Sequence, residues 1–246
     1  MDNDQKPRSP QSISRAVEAR FVAAADDAAP FGPNAAQILA TEHWSLLGTR
    51  SLIWHEAMSR ATVFLTVLSA SIISIALLAD ATGFGLQTTV LALVLLPVVF
   101  LLGLLAYARL VQINVEEFQL MLAMNRLRQA YLKLEPGLMP YFTTGIHDDE
   151  RGIVTSYMLD RPSRRWLWIH FVVNTPTIVA TVDAALAAAV IVLLLQLASA
   201  PTFLVVAGGV AVFLAIWVAL FVLQLRSLRQ LLDQPPRFPT PTGPAS

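Results

Sequence analysis

The sequence predicts an all-α, polytopic membrane protein: four transmembrane helices in two hairpins, with long cytoplasmic helical extensions. Three observations carry that expectation. Only 14% of the 246 residues are charged and 55% are hydrophobic, against roughly 25% charged in soluble domains. The apolar residues gather into four separate runs of membrane-spanning length. All 17 basic residues fall on one side of those runs.

A bilayer core takes about 20 consecutive apolar residues, at ~1.5 Å of rise each. Residues 61–79, 84–108, 177–199 and 202–225 satisfy this, and Asp183 is the only charged side chain inside them. Pro97 in the second run is compatible with a membrane helix, because neighbouring groups re-satisfy the carbonyl it frees. The connections 80–83 and 200–201 contain no Lys or Arg. Positive charge stays on the cytoplasmic side, so both termini and the central loop are expected there, in a bacterial inner membrane. Trp54, Trp166 and Trp168 lie beside Arg50, Arg60, Arg164 and Arg165, a pairing that suits headgroup depth.

The chain then divides in order. Residues 1–33 are polar and rich in Ala, Ser and Pro, without a secretory signal, and read as a disordered cytoplasmic tail. Residues 34–60 read as a cytoplasmic or interfacial helix capped by Asn34, with a pause near Gly48 and with Trp44, Leu47, Trp54 and Met58 near one face. Hairpin 1 is 61–108, and 109–175 is a cytoplasmic helix and loop. Hairpin 2 is 176–225, opened by Asn174 as a cap ahead of Pro176. Residues 226–246 form a C-terminal tail.

In the central helix, Leu110, Ile113, Glu117, Leu120, Met124, Leu127, Tyr131 and Leu134 alternate steps of three and four, a heptad seam with one polar interruption. Val111, Val115, Phe118 and Leu122 add a second stripe, and Pro136-Gly137 ends the helix. The seam packs either inside one subunit or between subunits, with Glu117 then setting register. Ala180, Ala184 and Ala188, and in the last run Ala207, Ala211, Ala215 and Ala219 with Gly208 and Gly209 alongside, give small faces on which helix backbones approach closely.

Asp183 is the foremost candidate functional residue. An ionised, unpaired acid within a bilayer costs ~2.5 kcal/mol or more, and such residues mark ion or proton pathways. The alternative is a protonated Asp183, or one hydrogen-bonded to Thr181 or a neighbouring helix. Thr62, Thr66 and Ser69 share a face of the first run and either line a pathway or bond their own backbone carbonyls. The His147-Asp148-Asp149-Glu150 run reads as an acidic turn or helix cap, since adjacent side chains seldom converge on one ion. With no cysteine, disulfides, thiolate metal sites and cysteine nucleophiles are excluded. No phosphate-binding loop, HExxH or nucleophile elbow is present, so neither an enzyme nor a cofactor is expected. A net charge of zero gives no ground for nucleic-acid binding.

The segments SLIWHEAMSRATVFLTVLSA, MNRLRQAYLKLEPGLMPYF and GIHDDERGI resemble those of a family of uncharacterised bacterial four-span membrane proteins, a likeness that runs from about residue 36 to the fourth span. It implies a fold and no activity. Four spans with long cytoplasmic helices are also similar to the layout of bestrophin channels, though no bestrophin motif is present. The leading functional expectation is a homo-oligomeric channel-like protein with a pathway between subunits. The second is a non-conducting scaffold or accessory subunit that recruits a cytoplasmic protein partner. The third is a small proton- or cation-coupled transporter using Asp183, although the two hairpins share orientation and show no inverted repeat.

Overall fold

The computed structural model describes residues 31–157, 174–232 and 235–241. Five α-helices and one 3₁₀ turn make up the described regular structure, with no strand among the described residues: α1 (Ala35–Thr82), α2 (Leu86–Leu134), the 3₁₀ turn (Pro136–Tyr141), α3 (Glu150–Ser156), α4 (Thr175–Leu197) and α5 (Thr202–Leu232). α1, α2, α4 and α5 are each long and apolar enough to cross a membrane. The protein is an all-α, multi-pass integral membrane protein.

α1 and α2 are 48 and 49 residues long, about twice what a bilayer core requires. In each, an apolar half continues without a break into a polar half. The expected pause at Gly48 is absent, since α1 runs straight through it. One exposed glycine costs a helix only ~1 kcal/mol, too little to interrupt a ladder secured on both sides. Pro97 likewise lies inside α2 without ending it.

The two hairpin turns use different means. Gly83, at φ 75°, makes the reversal between α1 and α2, and its carbonyl accepts the Thr88 hydroxyl at 2.9 Å. After α4, Ser199 takes φ 55°, with its N–H donating to Gln196 and the Ala200 N–H donating to Leu195. That is a Schellman ending with serine where glycine is usual. At the start of α4, the Asn174 side chain accepts from the Thr177 N–H, with Pro176 in the first turn, as the cap-proline pattern leads one to expect.

The helices are not evenly associated. Backbones approach most closely between α4 and α5 and between α2 and α4. Gly208 and Gly209 of α5 meet Leu195, Ile191 and Val192 of α4. Trp217 donates to the Thr181 hydroxyl, and the Tyr107 hydroxyl of α2 bonds the Leu220 carbonyl of α5. Phe64, Ala92, Leu96, Val99, Leu110, Val179, Ala180 and Leu186 form the shared core. Val63, Ile72, Leu77, Val90, Val94, Leu105, Val206, Val210 and Val218 are exposed, as they must be where lipid is the solvent.

Leu110, Ile113 and Met124 of the heptad seam are buried within the chain itself. Phe118 and Leu122 of the second stripe pack on Ile153 of α3. Glu117 leaves the seam to pair with Arg50 of α1 at 3.0 Å. Leu120 and Leu127 are half-buried. Along α1, Trp44 and Trp54 are exposed. The reading of residues 1–30 as a tail and the interfacial placing of Trp166 and Trp168 lie outside the described residues.

Candidate functional site

Asp183 is fully buried, at 0% exposure. It sits on the face of α4 that also carries Ala180 and Ala184, both buried, and that face lies against α2. The contact point on α2 is Gly103. A Cβ added there would come within 1.8 Å of Asp183 Oδ1, 2.6 Å of its Cγ and 2.7 Å of Phe64 Cε2. Carboxyl and phenyl ring therefore meet over a backbone that has no side chain. Three helices, α1, α2 and α4, close this point.

No described residue donates a hydrogen bond to either carboxyl oxygen of Asp183. Thr181, the partner expected from sequence, is committed elsewhere. Its hydroxyl donates to the Thr177 carbonyl at 2.8 Å and accepts from Trp217. Among the described residues, the hydrogen-bonded alternative therefore has no donor. A buried polar group without a partner costs about 1–3 kcal/mol even when neutral.

Phe64 also lines a groove of about 460 Å³ between α1 and α2, together with Val63, Val67, Leu102 and Leu105 and with the charged Glu56 and Arg60. Glu56 and Arg60 of that lining belong to an ion-pair chain. Arg109 holds Glu56 through two bonds of 2.9 Å each and Glu116 at 2.7 Å, while Arg60 reaches Glu56 at 3.0 Å.

The other sequence candidates are placed apart from Asp183. Thr66 and Ser69 are exposed and donate to the carbonyls of Thr62 and Leu65 four residues back. Thr62 is also exposed. Ala188 is half-buried on α4, while Ala207, Ala211, Ala215 and Ala219 of α5 all face outward. α5 uses its glycine face, not its alanine stripe, to pack on α4.

A second polar centre lies at the charged end of α2. Asn125, at 0% exposure, uses all four of its hydrogen-bonding positions. Its Nδ2 donates to the carbonyls of His147 at 2.8 Å and Gly152 at 3.3 Å. Its Oδ1 accepts from Arg128 at 2.7 Å and Ser156 at 2.8 Å. Gly145 and Gly152 let this turn fold tightly, since a Cβ on either would come within 1.9 Å of a backbone carbonyl oxygen. The wound turn aims Asp148 and Asp149 at the C-terminal segment. Asp148 accepts from Arg126 at 2.7 Å and from the N–H groups of Arg237 and Phe238 at 3.0 and 2.7 Å. Asp149 caps α3 through the Gly152 N–H and accepts from the Thr240 N–H and hydroxyl at 2.8 and 2.9 Å. No group of three His, Cys, Asp or Glu suited to a metal ion occurs among the described residues.

Burial pushes both aspartates up, but their donors outweigh it and hold each below the ordinary 3.8: Arg126 and the two tail N–H groups for Asp148, and Gly152, Thr240 and nearby His147 for Asp149. A carboxylate with a depressed folded-state value contributes stability above its unfolded value and loses it as pH falls through the folded one. The tail should therefore stay docked from pH 8 to 5 and release only below 3.8. A spin label at Pro241→Cys reads this directly: it should remain immobilised at pH 5 and become mobile in stronger acid. Release between pH 7 and 5 would mean that the carboxylates do not hold the segment.

Sequence reading missed Gly103, Asn125 and the docked segment. Gly103 left a trace as an isolated glycine in the apolar run FLLGLLAYA, a mark of close backbone approach. No family model, curated protein or solved structure matches the chain.

Proposed function

We propose that the protein is a small proton- or cation-translocating membrane protein whose pathway passes inside each protomer, with Asp183 as its exchangeable site. The observation that carries this reading is the fully buried Asp183 carboxyl with no hydrogen-bond donor among the described residues. Ionised and alone in apolar surroundings, it would cost ~2.5 kcal/mol or more. A proton or a cation completes it, and either can be exchanged. The approach in this reading is the groove that Phe64 lines, with Glu56 and Arg60 at its charged end. That end is the cytoplasmic one if positive charge lies inside.

A pathway between subunits draws less support, because Asp183 faces the protomer interior and the hydroxyls of Thr66 and Ser69 return to their own helix. Homo-oligomerisation is compatible with the internal pathway. The outward Ala207–Ala211–Ala215–Ala219 stripe is the surface that would serve it.

The test is ion flux in proteoliposomes, comparing wild type with Asp183→Asn, which keeps shape and removes the ionisable group. Flux should fall by at least about tenfold, the equivalent of ~1.4 kcal/mol, while the melting temperature changes little. Undiminished flux in Asp183→Asn would remove this residue from the pathway. Wild type without flux under varied ions, pH and voltage would favour the scaffold reading. That second reading rests on the polar centre around Asn125, an ordered platform on which a partner could dock.

A further inference from the structure

Residues 237–240 lie across the turn of residues 145–150 as a ligand lies in a receptor. The turn is complete without them. Asn125 and Arg128 hold its backbone at the His147 and Gly145 carbonyls, Arg128 and Ser156 fix the Asn125 amide, Arg126 orients the Asp148 carboxylate, and the Gly152 N–H orients that of Asp149. The segment, by contrast, forms no regular structure of its own. It enters through main-chain groups and a few side chains. Two successive N–H groups fork onto the two oxygens of Asp148, and the Phe238 carbonyl accepts from the Asp148 N–H at 3.2 Å. The Phe238 ring lies under Lys133 Nζ, 5.1 Å from its centroid, and Thr240 gives Asp149 both its N–H and its hydroxyl. The Arg237 side chain makes none of these contacts.

We propose that this turn is a peptide-binding site, with residues 237–240 as its tethered resident ligand, and that it accepts in trans a partner protein's segment of the same aromatic–Pro–Thr pattern. Pre-organisation argues for it: the receptor groups are fixed by bonds within the turn and α2, so a ligand does not have to order them. Charge-assisted bonds from main-chain N–H groups to carboxylates are about twice as strong as neutral ones. They impose a direction on the bound segment, while the ring over Lys133 and the threonine hydroxyl select its side chains. The internal tail competes at an effective concentration in the millimolar range. A partner must therefore bring added contacts, or the tail must be drawn away.

The absence of cysteine makes a direct test simple. Spin labels at Arg151→Cys and Pro241→Cys report tail docking in the full chain in nanodiscs, and the probe is a free peptide of residues 235–246. At ~10 mM, above the tether's effective concentration, the peptide should displace the tail from more than half of the molecules. The same peptide carrying Phe238→Pro, which lacks the N–H that reaches Asp148, should not. Within the chain, Phe238→Pro should release the tail, whereas Phe238→Ala, which keeps that N–H, should leave most of it docked. Because these substitutions lie on the ligand, the turn itself stays intact. No displacement by the native peptide, equal displacement by the Phe238→Pro peptide, or a tail still docked in the Phe238→Pro chain would each overturn the proposal.

Discussion

Gly103→Ala is expected to destabilise the protein by about 3 kcal/mol, the upper end of the cost of overpacking a core. The new methyl would stand 1.8 Å from Asp183 Oδ1 and 2.7 Å from Phe64 Cε2. Both side chains are buried, so neither can swing into solvent to make room. Asp183→Ala alone should instead raise stability by about 1 kcal/mol: it relieves a buried polar group with no partner among the described residues and leaves a small cavity in return. In the double variant the methyl occupies space the carboxyl has left. The two changes should be coupled by about 2 kcal/mol, as expected of residues in direct contact. Urea or thermal unfolding of all four proteins in one detergent gives the cycle. Additive effects would mean that Gly103 and Asp183 do not share the space. A strong loss in Asp183→Ala alone would mean that the carboxyl has a donor.

Asn125→Leu should cost about 4 kcal/mol. Leucine fits the volume but makes none of the four bonds, and a buried carbonyl left without a donor costs about 1–3 kcal/mol. His147 loses the Asn125 donor outright, while Gly152 and Ser156 retain only each other. Two of the bonds, to the carbonyls of His147 and Gly152, tie α2 to the turn and to the start of α3. The loss should therefore spread to Asp148 and Asp149 and loosen the tail. Thermal unfolding and the label at position 241 should report it together. A variant within 1 kcal/mol of wild type would show that the region is held by the apolar packing of Ile153 of α3 on Phe118 and Leu122.

The four spans were legible because a bilayer makes the same demand on any chain: a long run without charge. Asn174 and Pro176 were legible for a similar reason, since helix starts have few chemical solutions. The face of α2 was legible as apolar, but whether it met its own chain or another was not. Periodicity records which residues are buried and not what buries them. Gly48 misled because a glycine marks a helix end only where nothing else sustains the helix. Asp183 stood out as the one charge in four spans. Its lack of a partner among the described residues did not, because that depends on where α2 crosses α4, and the crossing is set by Gly103, 80 residues earlier. The small residues of α5 were legible, but not which of them packs: Gly208 and Gly209 admit the Leu195 and Val192 side chains, while the alanine stripe beside them faces outward. The docking of residues 237–240 left no periodic trace at all, because four residues held by main-chain groups obey no repeat.

Proton or cation exchange at Asp183 is most directly observed by infrared difference spectroscopy of the carboxyl group in the intact protein, comparing wild type with Asp183→Asn. As pH or cation concentration is varied under conditions where the protein stays folded, a carboxyl band should change in wild type and be missing from the variant. Identical difference spectra for the two proteins across the whole range would contradict an exchangeable site at Asp183.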